Sequence, residues 1–524
     1  MAINKITKFS EIVSPINKID EVIDAINQLD TEIDNTNSSI SDLNSDLLEL
    51  DTKVDQLDFS EFTGATSESD GIKGMVPAPT KGEVKKYLCA DGTWKEPVSA
   101  SIDEDLLIIK AELGYPGIED IYGLEADFVN NVFTRLAGAV GKNAGADFNS
   151  CNAFGGRRRC NLTDDGIVTA YYGEEGFVTN GITDRELKGK PTGTHIQVMV
   201  EQPKFYYKVD PVELVAGSRA NEKHTNIVRY YVSDTKYPGF ETHPAFIVNG
   251  VEKDKIYLAA FEGCLYDVSA SSYIANDSQV ADFTETTGDK ASSIAGIKPM
   301  SGLSQNLTRA NARKLAHNRG VGWEQSYLAT VAATQLLMII EYGQFNIQEV
   351  LGRGVSGKTD NGSSNMSENT GATISLGNNS GEATQGNYKH ISYRGEENFY
   401  GNIWTWVDGL NQNSGTIYIS DHNFKDDTSE APYVPAGYCL TSSEVYPKKF
   451  EYNDSYSWLF IPGATGGNSS LPIGDYYWYN SGWRVAILGG RWGDGSSCGP
   501  FYWILNDASS IRYRSIGLRL VYVP

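Results

Sequence analysis

Apolar residues recur every seven positions over residues 12–57, and a second apolar row lies three positions further along. The rows are Ile12, Ile19, Ile26, Ile33, Ile40, Leu47 and Val54, then Pro15, Val22, Leu29, Thr36, Leu43, Leu50 and Leu57. This a/d spacing predicts a coiled coil. Ser14 and Pro15 fit the N-cap and the first helical position, so residues 1–13 are expected to lie outside the helix and to attach the chain to another body. Ile at a with Leu at d favours two strands by the simple rule.

The pattern changes after the heptads. Residues 59–100 are polar and Gly-rich at first, and the Asp91-Gly92 turn then predicts a small hairpin between YLCA and TWKE. Residues 103–140 are predicted to be helical, from the apolar spacing of Leu106, Leu107, Ile109, Leu113, Phe128, Val132 and Leu136.

In the remaining chain, segments with the apolar spacing of a strand and segments with that of a helix follow one another. Strand-like runs follow from about residue 146, two helices are predicted within residues 308–345, and short strands with aromatic turns follow to the end. The last stretch, Gly489–Arg519, has the sequence GGRWGDGSSCGPFYWILNDASSIRYRSIGLR. Strand residues alternate faces, so Phe501, Trp503 and Leu505 pointing inward would leave Tyr502 and Ile504 outward.

Length and charge narrow the function classes. The chain has 524 residues and a net charge of −23, which predicts several domains and argues against binding nucleic acid or anionic membranes through bulk charge. No secretory signal is predicted, because the N-terminal sequence MAINKITKFSEI lacks a continuous apolar region. No membrane span is predicted, because the longest apolar-rich stretch, Tyr327–Ile340, is short and interrupted. Arg157–Arg159 is expected to form surface or inter-subunit salt bridges.

The six cysteines are scattered without zinc spacing. Cys151 and Cys160 are close enough in sequence to pair, but reduced core cysteines are the favoured interpretation.

Two sets of motifs resemble known families. The stretch GMVPAPTKGEVKKYLCADGTWKEP resembles a short module of bacteriophage tail fibres that links a stalk to a distal head. The predicted helix pair, YGNIWTWVDG and LGGRW…IGLRL occur in the order of the formylglycine-generating-enzyme-like variety of the C-type-lectin-like domain. The matching residues are Gly401, Asn402, Trp404, Trp406, Asp408, Gly489, Gly490, Trp492, Gly517 and Arg519.

Gly489–Arg519 is also similar to the tips of phage receptor-binding proteins, including the retroelement-diversified major tropism determinant proteins. The resemblance implies a solvent-facing receptor site, with Trp478, Tyr479 and Arg484 at its border. The site itself maps to Arg491, Trp492, Asp494, Ser496, Ser497, Tyr502, Ile504, Ile511, Tyr513 and Ser515. The resemblance also implies that Phe501, Trp503, Leu505 and Leu518 belong to the core.

These observations predict an α+β chain with a parallel coiled-coil stalk, a small β hinge module and a C-terminal C-type-lectin-like domain. The expected segments are virion attachment at 1–13, stalk at 14–58, hinge at 59–100, a helical then β-rich region at 101–189, and the receptor-binding domain at 190–524. The resemblance to tail tips implies a homotrimer, although the heptads alone leave a dimer open.

The expected function is attachment of a phage virion to a glycan or protein receptor on a bacterial surface. The N-terminus would join the tail or baseplate, and the protein would be made in the host cytoplasm. We expect no enzyme activity and no cofactor, with calcium left open. Cys439 and Cys498 do not match the copper-holding pair of formylglycine-generating enzymes. A glycan-degrading tail enzyme using Asp408, Glu396 or Glu397 is the first alternative, and a bacterial surface adhesin is the second.

Overall fold

The structure is a computed structural model that describes residues 22–46, 121–181, 196–274 and 280–524, together with the backbone of strands 87–88 and 94–95. The chain divides into two compact units, Met1–Pro97 and Val98–Pro524. The expected attachment segment 1–13, the Ser14–Pro15 helix start and most of the hinge 59–100 lie outside the described residues. Mixed helix and sheet, mostly β, is the observed class.

The first unit contains a helix over residues 22–46, as the heptads predict. The apolar rows lie exposed on this helix, with Ile26 58% and Leu43 66% accessible. The helix is therefore confirmed within these bounds, whereas its coiled-coil pairing stays a prediction. Tyr87–Leu88 and Trp94–Lys95 pair antiparallel, which confirms the pairing of the two predicted hairpin strands; the Asp91-Gly92 turn lies outside the described residues.

A five-stranded sheet begins the second unit. Its order is Glu241–Thr242, Tyr206–Ala216, Lys223–Ser233, Tyr122–Asp127 and Val132–Ala137. The predicted helix over 103–140 is therefore wrong from residue 121 onward; residues 103–120 lie outside the described part. Asn131 turns the chain with a positive φ of 57°, and Tyr122 then pairs with Ala137 across the hairpin.

A six-stranded sheet joins distant parts of the chain. Its order is Trp323–Gln325, Leu520–Tyr522, Lys255–Ala259, Ile196–Pro203, Arg158–Thr163 and Val168–Tyr171. Strands from both sides of the expected 189/190 boundary hydrogen-bond to each other in this sheet. Both strands belong to the same compact unit, Val98–Pro524.

A seven-stranded sheet carries the C-terminal motifs. Six strands follow in the order Val434–Tyr438, Thr416–Ile419, Trp404–Asn413, Trp483–Leu488, Trp503–Leu505 and Tyr477–Tyr479, and Ile516–Gly517 pairs in parallel with Trp404–Asn413. Alternate residues of this sheet enter two separate buried clusters: Trp503 belongs to one, and Ile504 to the other. Both faces of the sheet are therefore covered.

Shorter elements complete the second unit. The small sheets are formed by Ser272–Tyr273, Cys264–Asp267 and Lys290–Ser292; by Gly381–Gln385, Tyr388–Tyr393 and Glu396–Glu397; by Ile247–Val248 and Val251–Glu252; and by Pro447–Phe450 and Pro462–Thr465. The α-helices are Asn152–Gly155, Gly302–Gln305, Arg309–His317, Leu328–Tyr342 and Ile347–Val350. Single 3-10 turns lie at Ala146–Phe148, Pro244–Phe246, Ile374–Leu376 and Gly495–Ser497.

The helix Leu328–Tyr342 lies at the centre of the larger core. Its residues are apolar on every side, which is typical of a helix buried along its whole circumference, and Leu328 to Glu341 are all buried. Thr330 caps its start, and Gly343 ends it with a φ of 70°. Within the described residues, no helix is long and apolar enough to cross a membrane.

Three motif residues of the segment 401–408, Asn402, Trp406 and Asp408, are buried and have polar partners. Asn402 donates to Glu262 Oε1 at 2.9 Å, and Trp406 Nε1 donates to the carbonyl of Leu307 at 3.0 Å. Asp408 is fully buried and accepts from Arg313 Nε at 2.8 Å. These contacts give the motif a structural role in joining the helix Arg309–His317 to the sheet.

The expectation of a surface or inter-subunit role for Arg157–Arg159 is wrong for two of the three. Arg157, which precedes the strand Arg158–Thr163, and Arg159 within it are 1% exposed, whereas the Arg158 side chain is 44% exposed. Arg157 pairs with Glu396 at 2.7 Å. The described cysteines, Cys151, Cys160, Cys264, Cys439 and Cys498, are free and buried, which confirms the reduced state for these five.

We predict that Asp408→Asn lowers the free energy of unfolding by about 3–5 kcal/mol. The change removes one carboxylate from the buried cluster that Asp408 and Asp426 form with Arg309 and Arg313, and leaves excess positive charge. The shift of the urea midpoint measures the loss.

Glu382→Gln is the matched control. It breaks the Lys389–Glu382 surface pair, which is worth less than about 1 kcal/mol. An Asp408→Asn loss as small as the control's would contradict a stabilising role for the buried cluster.

Candidate functional site

Paired glycines position the C-terminal stretch. Gly489 and Gly490 have φ values of 99° and 80°, which favour glycine. A Cβ on Gly490 would lie 2.4 Å from Cys498 Sγ, so the loop that follows packs directly on the backbone. The chain then returns into the seven-stranded sheet as Trp503–Leu505.

The inward half of the predicted pattern is confirmed. Phe501, Trp503, Leu505 and Leu518 are at most 1% exposed. The outward half is wrong, since Tyr502 is 2% and Ile504 3% exposed. The sheet has no solvent face here, because both residues join a second buried cluster with Trp406 and Ile487.

Two more predicted receptor contacts are also buried. Trp492 packs with Val355 and Ile403 and is inaccessible to solvent. Ser515 is 6% exposed, and its carbonyl accepts from the backbone N–H of Trp404. The other predicted site residues are exposed or half-buried: Trp478, Tyr479, Arg484, Arg491, Asp494, Ser496, Ser497, Ile511 and Tyr513.

Four half-buried aromatic side chains make up a surface group that we call the aromatic rim: Trp404, Tyr446, Tyr476 and Trp478. The rings of Tyr446 and Tyr476 lie 4.8 Å apart, and those of Tyr476 and Trp478 5.6 Å apart, both edge to face. Trp404 and Trp478 pack on the same buried cluster as Tyr502. The rim therefore presents apolar surface next to solvent.

A chain of hydrogen bonds below the surface fixes the two tryptophans. Trp478 Nε1 donates to the Tyr502 hydroxyl at 2.9 Å, and Trp404 Nε1 donates to Asp494 Oδ2 at 2.9 Å. Tyr502 in turn hydrogen-bonds to Asp494. Burial raises the pKa of Asp494 and of Tyr502. The buried Tyr502 thus supports the rim instead of facing a ligand.

Charged groups flank Trp404. The Arg491 guanidinium lies 5.0 Å from the centre of the Trp404 ring. Asp360 forms ion pairs with Arg491 and Arg514, and these hydrogen bonds, that to Arg514 above all, lower the pKa of Asp360. Arg514 also lies over Trp492, at 5.5 Å. The combination of aromatic faces, a carboxylate and guanidinium groups suits polar ligands that carry apolar patches, such as sugars.

The structure brings together part of the predicted site. Trp478, Arg491, Asp494 and Ser497 lie at the rim, where Ser497 Oγ is 3.2 Å from the Tyr446 hydroxyl. Ile511 packs on the same cluster.

Three further predicted residues make other contacts. Tyr479 packs on the opposite cluster, Tyr513 hydrogen-bonds to Asp507, and Arg484 donates to the Trp483 carbonyl at 2.8 Å.

Sequence reasoning missed three rim residues as binding groups. Trp404 belongs to the YGNIWTWVDG motif, whose resemblance indicates a role in the fold and not in binding. Tyr476 stands in the aromatic run DYYWYN, where alternation with the buried Tyr477 could have found it. Tyr446 carries no local signal, since only the tertiary fold brings it to Tyr476.

The candidate catalytic carboxylates do not share a cleft. Glu396 pairs with Arg157, and Glu397 accepts from Gly371 N at 2.7 Å and from Thr373 N at 2.6 Å. With Asp408, all three are at most 4% exposed. Their hydrogen-bonding capacity is occupied by the protein.

We predict that Tyr502→Ala lowers the free energy of unfolding by about 3 kcal/mol or more, because it opens a cavity and removes the hydrogen bonds to Trp478 and Asp494. Tyr446→Ala is the control and costs about 1 kcal/mol, since Tyr446 is half-exposed. Urea unfolding of both variants measures the difference. Equal losses would show that Tyr502 does not support the rim.

No family model and no curated protein matches the sequence. Solved structures with similarity include the U1 and P3c variants of Major Tropism Determinant, each 13% identical. Each match covers 70% of this chain and 71% of the other, with TM-scores of 0.23 and 0.24. The M1 variant is 14% identical over the same shares, with a TM-score of 0.22. These TM-scores are too low to assign a fold.

Proposed function

We propose that the chain is a receptor-binding protein of a bacteriophage tail fibre, and that it attaches the virion to a bacterial surface through the aromatic rim. The rim carries the proposal: four aromatic side chains remain half-buried at the surface, and the indole N–H groups of its two tryptophans are hydrogen-bonded from below. Aromatic residues with a polar border are typical of binding surfaces. The tail-fibre-like stretch before residue 100 supports the virion context.

The rim fits binding because its geometry exists before the ligand arrives. Trp404 and Trp478 are anchored to Asp494 and Tyr502, so little side-chain entropy is lost on contact. Stacking of aromatic faces on sugar rings, with Arg491 and Asp494 near the border, would give weak single contacts. A glycan is the ligand class that this chemistry favours, and a protein receptor is the alternative.

Multivalency would strengthen such contacts. The apolar rows of the helix over residues 22–46 are exposed in the single chain, as a partner helix would require. Three chains on one stalk would raise the effective concentration of each tip at the cell surface. We therefore propose a homotrimer joined to the tail through the N-terminal end.

We predict a mass in light scattering of three times the 57.4 kDa chain. Replacing Ile26 and Ile33 by Asp puts charge into the apolar rows and should lower the mass to that of one chain. Asp30→Ala, on the same helix outside both rows, should leave the trimer intact. A dimer or monomer of the unchanged chain would refute the trimer.

The test of function is binding of the labelled full chain to a panel of bacterial strains. We expect Tyr476→Ala and Trp478→Ala to weaken attachment to a bound strain at least tenfold, because each removes a stacking face. Tyr206→Ala, a half-buried tyrosine of the five-stranded sheet, is the matched control and should bind normally. Circular dichroism confirms that each variant is folded.

Two results would replace the proposal. Unchanged attachment by both rim variants would remove the rim as the receptor site. Release of reducing sugar from the bound cells would favour the glycan-degrading enzyme, which Asp408→Asn, Glu396→Gln or Glu397→Gln would then be used to locate.

A further inference from the structure

Two glutamates and one histidine converge at the end of the long hairpin of the five-stranded sheet. Glu222 precedes the strand Lys223–Ser233, His224 lies within it, and Glu451 follows the strand Pro447–Phe450. His224 and Glu451 form an isolated antiparallel bridge. One potential ligand atom of each of the three residues lies within 4.8 Å of the others. They are 6%, 9% and 5% exposed.

The two spacings from His224 to the glutamates are close to those of a tetrahedral zinc site. His224 Nε2 lies 3.2 Å from Glu222 Oε1 and 3.6 Å from Glu451 Oε2. Zinc–nitrogen and zinc–oxygen bonds of about 2.0–2.1 Å separate neighbouring tetrahedral ligands by about 3.3 Å. The two distances from His224 Nε2 are therefore near those that a bound cation would require, and the two glutamate oxygens lie within 4.8 Å of each other.

One carboxylate oxygen in this cluster lacks a partner. Glu451 Oε2 is buried without a hydrogen bond, while its Oε1 accepts from the backbone N–H of Tyr438 at 3.3 Å. A buried acceptor without a donor is costly, and a bound cation would compensate for it. The Glu451 side chain is 4% exposed and directs this oxygen toward His224.

Hydrogen bonds to one carboxylate oxygen of Glu222 leave its other oxygen directed toward His224, as for Glu451. Glu222 Oε2 accepts from the backbone N–H of Arg219 at 2.7 Å and from Ser218 Oγ at 3.2 Å. Its Oε1 is left for His224 Nε2. The Arg219 guanidinium lies 3.9 Å from Glu222 Oε1, and its positive charge would repel a bound cation. Two carboxylates against this one guanidinium still favour a divalent ion.

Glycines keep the surroundings of the cluster tight. A Cβ on Gly463 would lie 2.7 Å from His224 Cδ2, and a Cβ on Gly437 would lie 3.0 Å from Glu451 Oε1. Any larger residue at these positions would push a ligand side chain out of place. The backbone therefore encloses the three side chains directly, which holds them in position.

We propose that Glu222, His224 and Glu451 bind one zinc ion, with the fourth position taken by water. An imidazole with two carboxylates suits Zn²⁺, whereas Ca²⁺ and Mg²⁺ take oxygen ligands. The ion would tie the hairpin of the five-stranded sheet to the segment that carries Glu451. The proposal is independent of the receptor function and of the aromatic rim.

The test uses the full chain, stripped with a chelator and dialysed against a low micromolar concentration of Zn²⁺. We expect one zinc per chain by elemental analysis and a rise of several degrees in the thermal midpoint, since the ion binds the folded state. Glu451→Gln keeps the side-chain shape and should lower zinc affinity at least tenfold. His224→Gln should do the same, with circular dichroism as the check on folding.

The matched control is the His317–Glu324 pair, whose Nε2–Oε2 distance is 2.6 Å and whose His side chain is 48% exposed. Glu324→Gln should retain full zinc binding. No bound zinc in the unchanged chain would overturn the proposal. So would equal zinc retention by Glu451→Gln, or displacement of zinc by a modest excess of calcium.

Discussion

Buried guanidinium groups hold the compact unit together. Arg519 donates to the carbonyl of Glu397 at 2.8 Å and to that of Ala259 at 2.7 Å, and Arg157 pairs with Glu396. The Arg519 bonds join the last strands to strands that lie more than a hundred residues earlier, and the Arg157 pair joins two segments that are more than two hundred residues apart. A buried charge without partners costs several kcal/mol. The segments that supply the acceptor groups must therefore lie next to these arginines in the folded chain. Apolar packing alone would be less selective about which strands become neighbours.

Packing on both faces of the seven-stranded sheet limits the size of the aromatic rim. Most large side chains of this sheet are buried in one of the two clusters that cover it. Only residues at the margin, such as Trp478 and Trp404, keep part of their surface for a ligand. Their indole N–H groups are satisfied by Tyr502 and Asp494, which removes the cost of burying them unpaired.

Local sequence patterns predicted the secondary-structure elements and their inward residues better than they predicted which other segments cover those elements. The alternation around Trp503 identified the inward residues correctly, because strand geometry is local. The exposure of Tyr502 depends on a second layer contributed by distant segments, and no pattern in its own strand shows that layer. The helix predicted near Val132 failed because its apolar spacing also fits a hairpin. The Asn130-Asn131 pair was the signal for the turn.

Substitutions at the rim and substitutions beneath it have different effects on packing. Tyr446 and Tyr476 have much of their surface outside the core, so replacing them removes little packing. Tyr502 and Ile504 are buried in the cluster on which rim residues pack, so their replacement by other residues would disrupt packing. Lineages of this protein should therefore drift quickly at a few marginal positions and slowly beneath them. Sequence change that alters ligand preference is therefore expected at rim positions, where it has little effect on the stability of the fold.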